Sequence, residues 1–149
     1  MLTKSQMQNI IQEKCPERVR FLIKVVVNEK DGYCKIESYK ATIYKMEREY
    51  NEFGFYHELG HAVAFLMDLN KELGNLVMNN QNGLPTNDNP FSYGVQVLEM
   101  ISLPQRKNIS KMEVALQEFS ADAIAYYYMD MWEDLPEVVL EYLKEKLTV

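Results

Sequence analysis

The two histidines of this 149-residue chain, His57 and His61, stand four positions apart, and Glu58 follows the first directly. Around them, from about residue 49 or 51 to residue 69, apolar and small residues recur at helical spacing, which predicts a helix. Positions i and i+4 of a helix differ by about 40° around the axis and about 6 Å along it. Both imidazoles can therefore point to one position, and such a position suits a zinc ion.

Glu58 projects about 100° away from His57 around the predicted helix. That angle is too large for it to share the ligand role easily, but it lets the carboxylate contact a water bound to the same metal. Zinc acidifies such a water, and a neighbouring base can take its proton. The pattern H-E-x-x-H therefore predicts two zinc ligands and the general base of a hydrolase. The alternative is a pair of histidines that are merely exposed or hydrogen-bonded on a helix.

A catalytic zinc needs a third protein ligand and one open position, and no histidine is left to supply it. The third ligand must be a carboxylate, or otherwise Cys15, Cys34 or a tyrosine. Residues 118–122, EFSAD, lie in a second strongly helical segment, in which Glu118 and Asp122 are again four positions apart. We predict Glu118 as third zinc ligand and Asp122 as the residue that holds a ligand histidine by its remaining ring N–H. The alternative is two solvated acids on a helix exterior.

Hydrolysis of a peptide bond develops an oxyanion, which the metal and a nearby donor would share. With no spare histidine, the donor must be a tyrosine or an arginine, and we predict Tyr93. The chain has ten tyrosines, and residues 126–128 are tyrosines nearer in sequence to the predicted ligand Glu118. Their simpler interpretation is as core aromatics whose hydroxyls reach water.

The composition, 47% apolar and 26% charged, is that of one globular domain, predicted to span residues 1–149. A net charge of −6 with scattered basic residues argues against a nucleic-acid partner. The N-terminus lacks the apolar core of a signal peptide, and no stretch approaches the roughly 18 apolar residues that span a bilayer. We therefore expect a cytoplasmic protein without membrane contact.

Cys15 and Cys34 have no C-x-x-C spacing and are predicted to be reduced thiols.

The remaining patterns predict an α+β fold. A capping box at Thr3–Gln6 predicts a helix to about Lys14. The β-rich segments 20–28 and 33–46 are predicted to pair as a hairpin.

Residues 70–89 hold many asparagines and predict a long, partly irregular excursion, followed by a short apolar segment at 95–101. Ser110–Glu113 forms a second capping box, and Pro136 predicts the first turn of a last helix that ends near Leu147.

Three pieces of the sequence together resemble the gluzincin class of zinc metallopeptidases, which carry H-E-x-x-H on one helix and E-x-x-x-D or a near variant on a later one. They are HELGHA at 57–62, Ser92-Tyr93-Gly94, and EFSADA at 118–123. The nearest likeness is to the protease domain of anthrax toxin lethal factor and its small relatives, with the pattern H-E-[FIL]-G-H-A, S-Y-G and E-F-x-A-[ED]-A. The resemblance covers mainly residues 50–67 and 113–128, about a quarter of the chain.

The resemblance implies a zincin-like fold, in which a small N-terminal β-sheet packs on the active-site helix and a second helix carries the third ligand. It implies zinc at His57, His61 and Glu118, with Glu58 as general base and Tyr93 as oxyanion donor. Zincin-type sites usually offer an edge strand that an extended substrate joins by main-chain hydrogen bonds, here 20–28 or 33–46. The expected activity is that of a zinc metalloendopeptidase acting on a peptide or protein.

Other interpretations remain open. H-E-x-x-H followed by E-x-x-A-D also occurs in small metallopeptidases of mobile elements that cleave phage-type repressors. A zinc-stabilised regulatory or interaction module would bind zinc and a protein partner without hydrolysis, and a scaffold protein would bind no metal. If histidines hold the zinc, its retention is expected to weaken as pH falls to about 6.5 or below, because the ligands must lose their protons.

Overall fold

The computed structural model describes residues 2–28, 33–46, 52–80 and 109–148. These residues form one three-stranded sheet, six α-helices and a short 3₁₀ turn at Trp132–Asp134, which confirms the α+β class. The strands are β1 (Ile23–Asn28), β2 (Tyr33–Glu37) and β3 (Lys40–Met46). The helices are α1 (Lys4–Lys14), α2 (Glu17–Arg20), α3 (Glu52–Leu66), α4 (Asn70–Asn79), α5 (Ile109–Tyr128) and α6 (Glu137–Lys146).

Helix α1 begins at the predicted capping box. The backbone N–H of Gln6 donates to Thr3 Oγ1 at 3.1 Å, and the backbone N–H of Thr3 donates to Gln6 Oε1 at 2.8 Å. Met7 and Ile11 are buried on one face of the helix. The helix ends before Cys15, whose extended backbone is the conformation favoured before proline.

The sheet order is β1-β3-β2, with β1 parallel to β3 and β2 antiparallel to it. The hairpin predicted between segments 20–28 and 33–46 is therefore wrong. Segment 33–46 is two strands, because Ser38 and Tyr39 adopt positive φ angles of 46° and 64° and form a tight two-residue turn. The turn places β3 between the other two strands and leaves β2 at one edge of the sheet.

Helix α3 lies where the sequence predicts it and contacts β2, β3 and α5. Its buried residues include Phe55, Leu59 and Val63, which join the core formed with the inner face of the sheet, where Val25 and Ile43 are fully buried. Helix α3 thus packs between the sheet and α5, and it is the central element of the described fold.

The irregular excursion predicted from residue 70 is wrong for its first ten residues, which form α4. Leu73, Gly74 and Val77 of this helix are buried, and α4 packs against α5 and α6. Tertiary packing thus outweighs a local composition that disfavours helix. The segment 81–108, with the apolar stretch 95–101, lies outside the described residues.

The last two helices begin close to their predicted positions. Helix α5 begins at Ile109, so that Ser110 is its second residue rather than its cap, and Pro136 directly precedes α6.

Cys15 and Cys34 are free thiols, as predicted. Within the described ranges, none of the helices has the length and apolarity that crossing a bilayer requires.

Candidate metal centre

The close approach of α3 and α5 brings the two sequence motifs together. Gly60 lies between the two histidines and faces the backbone of Ala121: a Cβ added at Gly60 would overlap the Ala121 carbonyl oxygen and stand 2.9 Å from its Cα. On α5, Ala115 and Ala125 are also buried and small. Because no side chain separates the helices at this point, short imidazole and carboxylate side chains can reach across.

Three ligand atoms of His57, His61 and Glu118 converge, as the sequence predicts. The Nε2 atoms of the two histidines are 3.1 Å apart. Nε2 of His57 is 2.9 Å from Glu118 Oε2, and Nε2 of His61 is 3.3 Å from Glu118 Oε1. Ligands at about 2.0–2.1 Å from a tetrahedral ion stand about 3.3 Å from one another. The three residues therefore have the spacing of ligands to one metal ion.

Asp122 supports the first histidine from behind. Its Oδ1 accepts the hydrogen bond of His57 Nδ1 at 2.8 Å, and the aspartate side chain is fully buried. A proton held on Nδ1 leaves the lone pair of a neutral imidazole on Nε2, the atom that faces Glu118 and His61. Asp122 thus makes the predicted contact with a histidine, and this histidine is His57.

The charges of the site favour a cation at its centre. Burial alone would lower the pKa of His57, but the carboxylates of Asp122 and Glu118 outweigh it and raise this pKa to about 10. Burial would raise the pKa of Glu118, but the two histidines lower it to about 2. The pKa of Asp122 is raised because its burial outweighs the bond from His57.

Two carboxylate oxygens are left in an unfavourable position. Glu118 Oε2 and Asp122 Oδ2 are buried and accept no hydrogen bond of good geometry within the described chain, although His57 Nε2 is 2.9 Å from the former. Buried carboxylates are costly without a proton or a metal ion to balance them. In the metal-free state a proton on His57 supplies one positive charge, and a divalent ion at the same point would replace it. Two imidazoles and a carboxylate therefore fit a metal ion by spacing, by charge and by donor chemistry.

The candidate ligands open on a cleft of about 360 Å³. Its remaining wall comes from four elements: β2, α3, α4 and α5. The residues concerned are Tyr33, Cys34, Ile36, Glu58, Phe65, Asn70 and Gln117. Glu58 therefore lies in the cleft beside the ligand set, as predicted. Burial, with a smaller contribution from Glu58, raises the pKa of the Cys34 thiol to about 12, so that this cysteine is a neutral part of the wall.

Of the six predicted site residues, the structure brings together His57, Glu58, His61, Glu118 and Asp122. Tyr93 lies outside the described residues. Segment 33–46 was one of the two predicted edge strands, but Cys34 and Ile36 could not be named as cleft residues, because they border the cleft only through the turn that makes β2 an edge strand. Asn70 was also missed, since residue 70 was assigned to an irregular segment.

Comparison of the chain with protein-family models, with curated proteins and with solved structures finds no match.

Proposed function

We propose that this protein is a zinc-dependent metalloendopeptidase of the gluzincin type, with a zincin-like arrangement of sheet, active-site helix and third-ligand helix. The observation that carries the proposal is the triangle of His57 Nε2, His61 Nε2 and the Glu118 carboxylate, with sides of 2.9–3.3 Å, at the wall of an open cleft. Two histidines and a glutamate with one open position are a ligand set of catalytic zinc.

In the proposed reaction, His57, His61 and Glu118 hold the zinc ion. Zinc supplies Lewis acidity, which polarises a carbonyl group and acidifies water. Glu58 accepts the proton of the attacking water and returns a proton to the leaving amine, the role of a general base that becomes a general acid. Asp122 keeps the proton of His57 on Nδ1 and so keeps Nε2 free to bind the metal. Tyr93 remains our predicted donor to the oxyanion.

The substrate is proposed to be an extended peptide or a segment of a protein. Within the described chain, β2 pairs with β3 along one side only, so the main-chain groups of its other side have no strand partner. Tyr33, Cys34 and Ile36 of this strand border the cleft. An extended chain can add to such an edge by main-chain hydrogen bonds. Of the two segments predicted for this role, 20–28 and 33–46, the second contains β2, the strand that borders the cleft.

The test is the Glu58→Gln variant, assayed with an internally quenched peptide library. We expect Glu58→Gln to bind one zinc ion per chain and to unfold at the wild-type temperature, while hydrolysis falls by a factor of about 10² or more. The matched control is Glu52→Gln, which removes an exposed acid from the first turn of the same helix. Undiminished turnover by Glu58→Gln would refute the mechanism. A wild-type protein that binds zinc but cleaves no peptide would favour a zinc-stabilised interaction module instead.

A further inference from the structure

Asn70 occupies the cleft wall that faces away from the sheet. Helix α3 packs between the sheet and α5, and α4, which begins at Asn70, packs on α5. The cleft is therefore bordered by β2 on one side and by Asn70 and Gln117 on the other, with the candidate metal ligands exposed between them.

The main chain at Asn70 is fixed by two sets of contacts. Its carbonyl oxygen lies 3.1 Å from Ser120 Oγ, whose single hydroxyl proton is shared between Asn70 O and Leu116 O, the latter at 2.9 Å. Ser120 is fully buried two residues after Glu118. The preceding corner is also tight: Asp68 has a φ of 55°, and the N–H of Leu69 donates to Ala64 O at 2.8 Å. Asn70 is thus held in a fixed relation both to the helix of the histidines and to the helix of Glu118.

The side chain of Asn70 lines the cleft, and one end of its amide is buried. Its Oδ1 is buried and has no hydrogen-bond partner in the described chain, whereas Nδ2 is not among the buried unpaired atoms. The part of the amide that reaches the cleft surface is therefore the N–H donor. A buried, unpaired amide oxygen works against folding, and an apolar side chain would suit this position better.

A peptide bound to β2 would turn half of its carbonyl groups toward this wall. In an extended chain, successive residues point their N–H and C=O groups to opposite sides, so that one set pairs with the neighbouring strand and the other set points away from it. The cleft-lining residues of the described chain include no lysine or arginine. The amide donors among the described cleft residues are Asn70 and Gln117. The side chain of Gln117 is exposed, whereas Asn70 is half-buried and its amide oxygen is fully buried, so the Asn70 amide is the better oriented of the two.

We propose that Asn70 is a substrate-binding residue, which donates a hydrogen bond from Nδ2 to an amide carbonyl of the substrate on the side opposite β2. This inference rests on the proposed function, because it takes an extended peptide as the ligand. Two sources of such a carbonyl exist, the main chain of the substrate and an asparagine or glutamine side chain. The main chain is favoured, because β2 pairing directs main-chain carbonyls to this wall whatever the sequence of the peptide.

The test compares Asn70→Leu with wild type on the library peptide that wild type cleaves best. We expect KM to rise about tenfold with kcat nearly unchanged, as for a contact made equally in ground and transition states. Zinc content should stay at one per chain, and the unfolding temperature should not fall, since the unpaired oxygen is removed. Asn75→Ala is the matched control, because Asn75 lies on the same helix, is not among the described residues that line the cleft, and donates to Lys71 O.

Binding gives a second readout that is independent of turnover. In the Glu58→Gln background, adding Asn70→Leu should weaken calorimetric binding of the same peptide about tenfold. If the affinity falls equally for peptides of different sequence, the result supports the main-chain contact. If the affinity falls only for peptides with asparagine or glutamine at one position, the result supports a side-chain carbonyl as the acceptor.

Three results would overturn the assignment of Asn70. The first is an unchanged kcat/KM and peptide affinity. The second is a fall in peptide affinity that accompanies a loss of zinc, and the third is a fall in affinity that accompanies a lower unfolding temperature. A wild-type protein that cleaves no peptide defeats the proposed function itself, and that outcome is distinct from an active enzyme that is indifferent to Asn70→Leu.

Discussion

His57 is the residue on which the site depends most. One ring nitrogen bonds to Asp122 at 2.8 Å, and the other lies 2.9 Å from Glu118 and 3.1 Å from His61. The helical spacing of the motif allowed its ligand role to be predicted, because the i, i+4 rule depends only on local geometry. Its raised pKa could not be predicted, since the two carboxylates come from a helix about sixty positions later in the chain.

The raised pKa of His57 gives a prediction for metal binding. In the metal-free protein this imidazole keeps its proton until the pH approaches about 10, so a metal ion that binds at neutral pH must displace that proton. Zinc affinity should rise with pH from 7 toward 10, by about tenfold per pH unit, and fall as the pH is lowered. The pH range in which affinity weakens therefore begins well above the 6.5 expected from an ordinary imidazole.

Calorimetric zinc titration in buffers of different ionisation enthalpy measures the protons released. We expect about one proton per zinc ion from His57 between pH 7 and 8.5. An affinity that is constant over this range, without proton release, would contradict ligation by His57.

At the scale of elements, the contact between α3 and α5 sets the geometry of the site, and a second contact between α4 and α5 provides a control. A Cβ at Gly60 would overlap the Ala121 carbonyl, and a Cβ at Gly74 would stand 2.7 Å from Leu116 O and 2.8 Å from Leu116 Cβ. Both glycines are needed for close packing, but only Gly60 lies between the two histidines.

We expect Gly60→Ala and Gly74→Ala each to reduce the free energy of unfolding by roughly 1–3 kcal/mol, because α5 must move away from its partner helix. Only Gly60→Ala should also weaken zinc binding, since it alters the distance from the histidines to Glu118. Denaturant unfolding of the metal-free variants and zinc titration separate the two effects. Equal zinc affinities in both variants would show that helix spacing at Gly60 does not position the ligands.

The positions of helices were predictable where the local sequence alone determines where a helix forms. The capping box at Thr3, the period of the α3 segment and Pro136 each depend on a few neighbouring residues, and all three helices are present. The strand order was not predictable in the same way, because the parallel pairing of β1 with β3 joins segments separated by β2. Helix α4 was missed because its stability comes from packing on α5, which its own sequence does not display.

At the scale of the whole molecule, a metal ion bound by His57, His61 and Glu118 would join the two central helices α3 and α5. A ligand that binds only the folded state stabilises it, by about 2.7 kcal/mol when its free concentration is 100 times Kd. For a chain of this length, we expect chelation of the metal to lower Tm by roughly 5–10 °C.

Differential scanning calorimetry with and without a chelator measures this shift. Glu118→Gln should bind zinc weakly and therefore show little change in Tm on chelation. A wild-type Tm that is indifferent to chelator, in a protein known to be zinc-loaded, would contradict a metal that joins the two helices.

The most direct test of the metal centre is the zinc content of protein purified without a histidine tag. We predict close to one zinc ion per chain in wild type and much less than one in both His57→Ala and Glu118→Gln, with full occupancy in the Glu52→Gln control. A wild-type protein that contains no metal and also fails to bind added zinc would contradict the proposed centre.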